Sequence, residues 1–194
     1  IFFTLICFFL ANYIGLDRHW VTNYDHEFTL IYNALLFNSH IPIEYVQHPG
    51  YFTILFLSIF FKLLSFFDFI SVYKLTLLNN DNFEDSFQKL VFFTRIYSVI
   101  FLSLFCSLAY FLFYKLTNDK KYSFILSLIV FFAEGTIFHL FQLRTELITM
   151  IFIVLSLISL KTFLEGEKKN SSFYLIFFIT FIICSVLNKM QVFF

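Results

Sequence analysis

LVFFTRIYSVIFLSLFCSLAYFLFY, residues 90–114, holds one charge, Arg95, near one end of 25 otherwise uncharged positions. A helix crosses the hydrocarbon core of a bilayer with roughly 20 apolar residues, so this run is long enough to span. Working outward, residues 1–16 carry no charge before Asp17-Arg18, and residues 122–143 carry only Glu134 and His139. Residues 147–164 contain Lys161 alone, residues 172–188 contain no charge, and residues 50–67 contain Lys62. The whole chain is 60% hydrophobic and 13% charged, with a mean hydropathy of +0.83. A water-soluble domain has about a quarter of its residues charged, to coat its surface. These residues predict an all-α, polytopic transmembrane helix bundle in one domain over residues 1–194.

The formal net charge is zero, which gives no basic surface for a nucleic acid. Cys7, Cys106 and Cys184 each lie inside an apolar run without CxxC spacing and are read as packing residues. The chain starts at Ile1 without Met and stops at Phe194 just after an apolar run, so both ends look cut. It is read as a fragment of a longer protein.

Lysine and arginine in short loops mark the cytoplasmic side. Lys115, Lys120 and Lys121 share one short loop, and Lys161, Lys168 and Lys169 flank another. Both loops are therefore assigned to the cytoplasm, with 122–143 and 147–164 forming a hairpin whose tip, near residues 142–146, faces outside. Spans are predicted over 1–16, 90–114, 122–143, 147–164 and 172–188, leaving 17–89 as an external loop. Segment 50–67 then has external chain on both sides. It is expected to lie in the interface or dip in and return, with Lys62 reaching the headgroups. The competing arrangement makes 50–67 a true span and puts the amino terminus outside.

The polar stretch 17–49 holds the candidate chemistry. Phe28, Ile31, Tyr32, Leu35 and Leu36 recur at helical spacing and predict an amphipathic helix on the membrane surface, ending near Asn38-Ser39. Asp25 stands just ahead, where a carboxylate accepts free backbone N–H groups and suits the helix dipole. Asp25 and Glu27 are read either as a cap followed by a solvated acid or as a functional pair. In the second reading a carboxylate takes a proton from an acceptor or, most directly Asp25, holds Mg²⁺ or Mn²⁺. His48-Pro49-Gly50 is turn punctuation with a histidine of open role. No HxxxH or HExxH spacing supports zinc. Glu134 sits deep in its run and needs a partner, with His139 one candidate.

The order of these features resembles the amino-terminal half of the GT-C fold membrane glycosyltransferases that use polyprenyl-phosphate-linked sugars, over essentially the whole chain. That group includes protein O-mannosyltransferase-like enzymes and bacterial transferases acting on lipid A or other envelope glycans. The resemblance is carried by Tyr24-Asp25-His26-Glu27-Phe28, His48-Pro49-Gly50-Tyr51, Arg95-Ile96-Tyr97-Ser98 and Leu143-Arg144-Thr145-Glu146. Two departures stand out: His26 splits the usual Asp-Glu pair, and Gly50 replaces the second proline of the common ProPro.

The resemblance implies a GT-C-type bundle with juxtamembrane helices in the first external loop, in a multi-pass cell membrane protein. It implies a bacterial inner membrane, with the active site facing the periplasm or exterior. Membrane lipid surrounds the chain, the donor is a lipid-linked sugar, and the acceptor is a glycan, lipid or protein. Asp25 matches the catalytic or metal-associated acid, Glu27 follows it, and Glu146 falls at a second acidic site. Arg144, Arg95 and Lys189 are candidates to neutralise the donor phosphate, and His48 and Glu146 to touch substrate or metal. A transporter or lipid flippase, and a membrane subunit without chemistry, are the alternative classes.

Overall fold

The computed structural model describes residues 1–44, 50–79, 83–166 and 171–189, with the side chains of residues 22–26 and 171 outside that description. The described residues form helices and loops, with no strand among them. Helix α1 is Phe2–Ile14, α2 Tyr24–Asn38, α3 Tyr51–Phe66, α4 Phe83–Thr117 and α5 Lys120–Phe132. Short α6 is Glu134–Ile137, α7 Thr145–Glu165 and α8 Ser171–Asn188.

Two helices, α4 and α7, are long and apolar enough to cross a membrane, or up to three if the bent pair following α4 counts as one span. That is consistent with a membrane protein but falls short of five straight spans. Helix α1, with 13 residues, reaches about 20 Å against the roughly 30 Å of a hydrocarbon core. The expected span over 122–143 is broken: α5 and Glu134–Leu140 meet at 71°. Ala133 is extended at ψ 136° and Gly135 follows, a weak helix former beside an acid. Glu134 starts α6 on the exposed side of this corner, instead of being buried against His139. Breaking the helix lets the carboxylate leave the apolar packing.

The long helices alternate in direction. Leu16, beyond the end of α1, reaches Arg95 near the start of α4, while Phe2 meets Phe124 near the start of α5. Lys115 at the foot of α4 donates to Thr162 at the foot of α7, 2.8 Å away. Lys115, Lys120, Lys121 and Lys161 therefore gather at one end of the bundle, and Arg95, Arg144 and Asn188 at the other. Cys7 and Cys106 are buried packing residues in the core between α1 and α4, and Cys184 packs beside it.

Helix α3 keeps to the half of the bundle away from the lysines. Its Phe56 stacks on Phe101, its Phe60 meets Tyr97, and Phe69 beyond it meets Phe93. Its ring contacts thus climb α4 toward Arg95 as the chain proceeds. Its first turn is tied to Asn188, and its middle and the loop beyond it to Asn38. Helix α2 ends at Asn38 as expected, but it is wedged into the protein and does not lie on its surface. Ile31, Leu35 and Leu36 are buried, and so are Glu27, Leu30 and Ala34, because α3 and α4 cover a wider face than one stripe. Phe28 is turned outward and stacks on Tyr32.

Sidedness labelling checks this arrangement. In a chain lacking its own cysteines, Tyr51→Cys and Ser71→Cys should react with an impermeant thiol reagent from one side, and Asn118→Cys from the other. Labelling of 51 and 71 from opposite sides would make α3 a crossing helix.

Candidate functional site

The end of the bundle away from the lysines is built around Arg95. Its side chain is 1% exposed, and its Nη2 lies 3.0 Å from Glu27 Oε2, with Nε donating to Oε1 at 3.2 Å. Its Nη1 donates to the carbonyls of Leu16 and Arg18. The planar guanidinium thus serves four acceptors on two segments, the turn after α1 and helix α2, which an ammonium cannot match in this geometry. Burial pushes the Glu27 carboxyl up from its ordinary value, while the Arg95 guanidinium and the Leu143 amide, which donates to Glu27, pull it back.

Three residues on, Ser98 continues the same face of α4 and donates to the His139 carbonyl at 2.8 Å. The spacing Arg-x-x-Ser therefore holds two things at once: α2 through Arg95, and the segment before α7 through Ser98. On that segment Arg144 is half-buried, donates to Gln142 Oε1 at 3.2 and 3.3 Å, and lies 5.4 Å over the Phe138 ring. Glu146, in the first turn of α7, is paired with Lys189 just beyond α8. His139 is 2% exposed, and its Nδ1 has no hydrogen-bond partner among the described residues.

Asn188, 0% exposed, closes the site from beneath. Its Nδ2 donates to the Thr145 carbonyl and Thr149 Oγ1, and its Oδ1 accepts from the Thr53 amide at 3.1 Å. That bond seats α3 against the head of α7. The approach is so close that a Cβ on Gly50 would stand 2.3 Å from Thr145 Cγ2. Glycine replaces the proline of the common motif at a point where a side chain has no room.

The predicted residues separate as follows. Arg95 is turned inward to Glu27, so its charge is spent inside the fold instead of on a lipid phosphate. Glu27 is the buried half of that pair and has no open face for an acceptor. Lys189 and Glu146 are brought together and engage each other. Helix α2 begins at Tyr24, so Asp25 lies within its first turn rather than ahead of it, and its side chain lies outside the described residues. His48 and Pro49 also lie outside them. Among the described residues no group of three His, Cys, Asp or Glu side chains is arranged to hold a metal ion. The residues missed by sequence reasoning are Ser98 as a tie, Gln142 and Asn188. Asn188 had a signal, being an amide at the end of an uncharged run that must find partners when buried.

Comparison with protein-family models, with curated proteins and with solved structures found no match.

Removing one member of a buried ion pair strands the other and typically costs about 3–5 kcal/mol. Arg95→Met and Glu27→Leu should each lower stability on that scale in detergent unfolding, and the double variant should recover part of the loss. Single variants within about 1 kcal/mol of the parent would mean that the pair is solvated. Gly50→Ala should cost about 1–3 kcal/mol by overpacking. Thr145→Ser, which deletes the opposing methyl group, should restore most of it in the same measurement.

Proposed function

We propose that this chain is the amino-terminal part of a membrane glycosyltransferase of the GT-C type, acting on the external face with a polyprenyl-phosphate-linked sugar as donor. The acceptor is an envelope glycan, a lipid or a protein. The observation that carries the reading is a juxtaposition. Asp25 is two residues before Glu27, and Arg144 directly follows Leu143, whose amide meets Glu27. The candidate acid and the candidate phosphate ligand therefore both flank one buried contact, anchored by Arg95.

In this reaction Asp25 takes the proton of the acceptor hydroxyl as its oxygen attacks the anomeric carbon. The bond from that carbon to the phosphate oxygen breaks, its electrons leave with the polyprenyl phosphate, and the configuration inverts. Arg144 is the cation for the departing phosphate, since its described partners are the neutral Gln142 and a ring face. Arg95 and Glu27 act as positioning residues that fix the first turns of α2. Asp25 is also the residue that would hold Mg²⁺ or Mn²⁺, whose charge would stabilise the leaving phosphate.

One observation favours a second reading. The corner at Ala133, with Glu134 exposed at the break, is the kind of discontinuous helix that transporters place at a substrate site.

The test is sugar transfer from a polyprenyl-phosphate donor in liposomes holding the full-length protein, with and without chelator. Asp25→Asn should fold normally and lose about 10²–10⁴ in rate, the usual worth of a general base. Arg144→Gln should weaken use of the donor. Near-normal transfer by a folded Asp25→Asn enzyme would remove Asp25 from the chemistry. Donor movement across the bilayer without transfer would favour the transporter.

A further inference from the structure

The carboxyl-terminal ends of α2 and α3 enclose a pocket of about 380 Å³ that the sugar-transfer reading does not use. Lys62, Lys74, His40 and Ser65 line it, together with Asn38 and Tyr73. A neighbouring hollow of about 570 Å³ shares His40 and Lys62, so these two side chains stand between the two hollows. No carboxylate is among the described residues lining either one. Lys62 is exposed and Lys74 half-buried, its Nζ 5.2 Å over the Tyr73 ring. Neither lysine forms an ion pair among the described residues.

Asn38 adds a second observation. It is 1% exposed, and its Nδ2 is committed to the carbonyls of Ser58 and Tyr73 at 3.1 and 2.9 Å. That fixes which amide atom is which. Its Oδ1 is buried with no hydrogen-bond partner among the described residues. Through its two Nδ2 bonds Asn38 locks the end of α2 to α3 and to the loop beyond it, which fixes the shape of the pocket. The pocket thus offers positive charge at its mouth and the hydroxyl-bearing side chain of Ser65 in its lining.

Around it the surface is apolar. Leu63, Phe66, Phe67 and Phe69 are 52–79% exposed, and α3 is one of the chain's short apolar helices. Exposed Phe and Leu beside lysines suit the boundary of a bilayer, with the apolar side chains in the acyl region and the lysines at the headgroups. A phosphate in this pocket would carry its acyl chains directly onto that apolar rim.

We propose that this pocket binds the headgroup of an anionic phospholipid, with Lys62 and Lys74 on the phosphate and the acyl chains on the apolar rim. Phosphatidylglycerol is the lipid of this class used to probe it. The site is separate from the Arg144 region, and its occupancy does not require sugar transfer.

The test is lipid retention by the full-length protein, read by native mass spectrometry after exchange into nanodiscs of phosphatidylglycerol or of phosphatidylcholine. Parent protein should retain phosphatidylglycerol in preference to phosphatidylcholine. Lys62→Gln and Lys74→Gln should each weaken retention about five-fold, the scale of one lysine at an anionic lipid surface. Lys120→Gln and Lys121→Gln, at the opposite end, should leave it unchanged and serve as folding-matched controls. Equal retention of both lipids, or equal loss from the two lysine pairs, would overturn the proposal. Inorganic phosphate that protects the parent, but not Lys62→Gln, from thermal unfolding as well as the lipid does would assign the site to free phosphate instead.

Discussion

The contact between Arg95 and Glu27 is the constraint around which the rest of this end of the fold is arranged. An arginine buried to 1% among apolar helices must find partners, and here four of its hydrogen bonds go to one carboxylate and two main-chain carbonyls. Each partner forces a piece of chain into place. Glu27 draws α2 into the interior. The carbonyls of Leu16 and Arg18 face Arg95 because the chain turns sharply at Gly15, whose φ of 132° suits glycine alone, and where a Cβ would meet Arg18 at 2.6 Å. Such a pair adds little net stability over an apolar replacement, because desolvation offsets most of the attraction. What it does is exclude other arrangements, since any packing that separates the two charges leaves both stranded.

Helix α3 follows from a second set of ties. Its first turn is held by Asn188, and its third and the loop beyond it by Asn38, which reaches Ser58 and Tyr73. Ser39 Oγ accepts from the Leu75 amide at 2.9 Å, so the end of α2 also fixes the return of the chain. These ties fix the 16-residue α3 at its first turn, at its middle and through the loop beyond it.

What was legible in the sequence was what local pattern encodes. Lys115 and Lys161, flanking the two loops, share one end, and α2 stops at Asn38. The misreadings concern partners far apart in the chain. Glu27 and Arg95 are 68 residues apart, and periodicity carries no information about such pairs. A signal did exist: Arg95 is the lone charge in residues 90–114, and a cation in an apolar run demands an acid. Glu27 was the acid at hand. The corner at Ala133 was hidden for a different reason, since hydropathy measures how apolar a run is and not whether its backbone continues as a helix. The spacing of Phe28, Ile31 and Leu35 likewise describes one stripe, whereas burial on α2 extends to Leu30 and Ala34 because two helices pack on it.

Charge accounting at the candidate site then narrows the roles. Arg95 and Lys189 were both assigned to a donor phosphate from sequence, yet each faces a carboxylate, Glu27 and Glu146. An incoming phosphate would have to compete with those partners, and displacing Glu27 would strand it in the interior. Arg144 faces no such competition. Its described partners are an amide oxygen and the face of Phe138, both of which orient a guanidinium without neutralising it. A half-buried arginine held in place but left charged is suited to meet an anion that arrives and leaves. The two paired cations hold the fold, and Arg144 is the candidate-site cation without a carboxylate partner among the described residues.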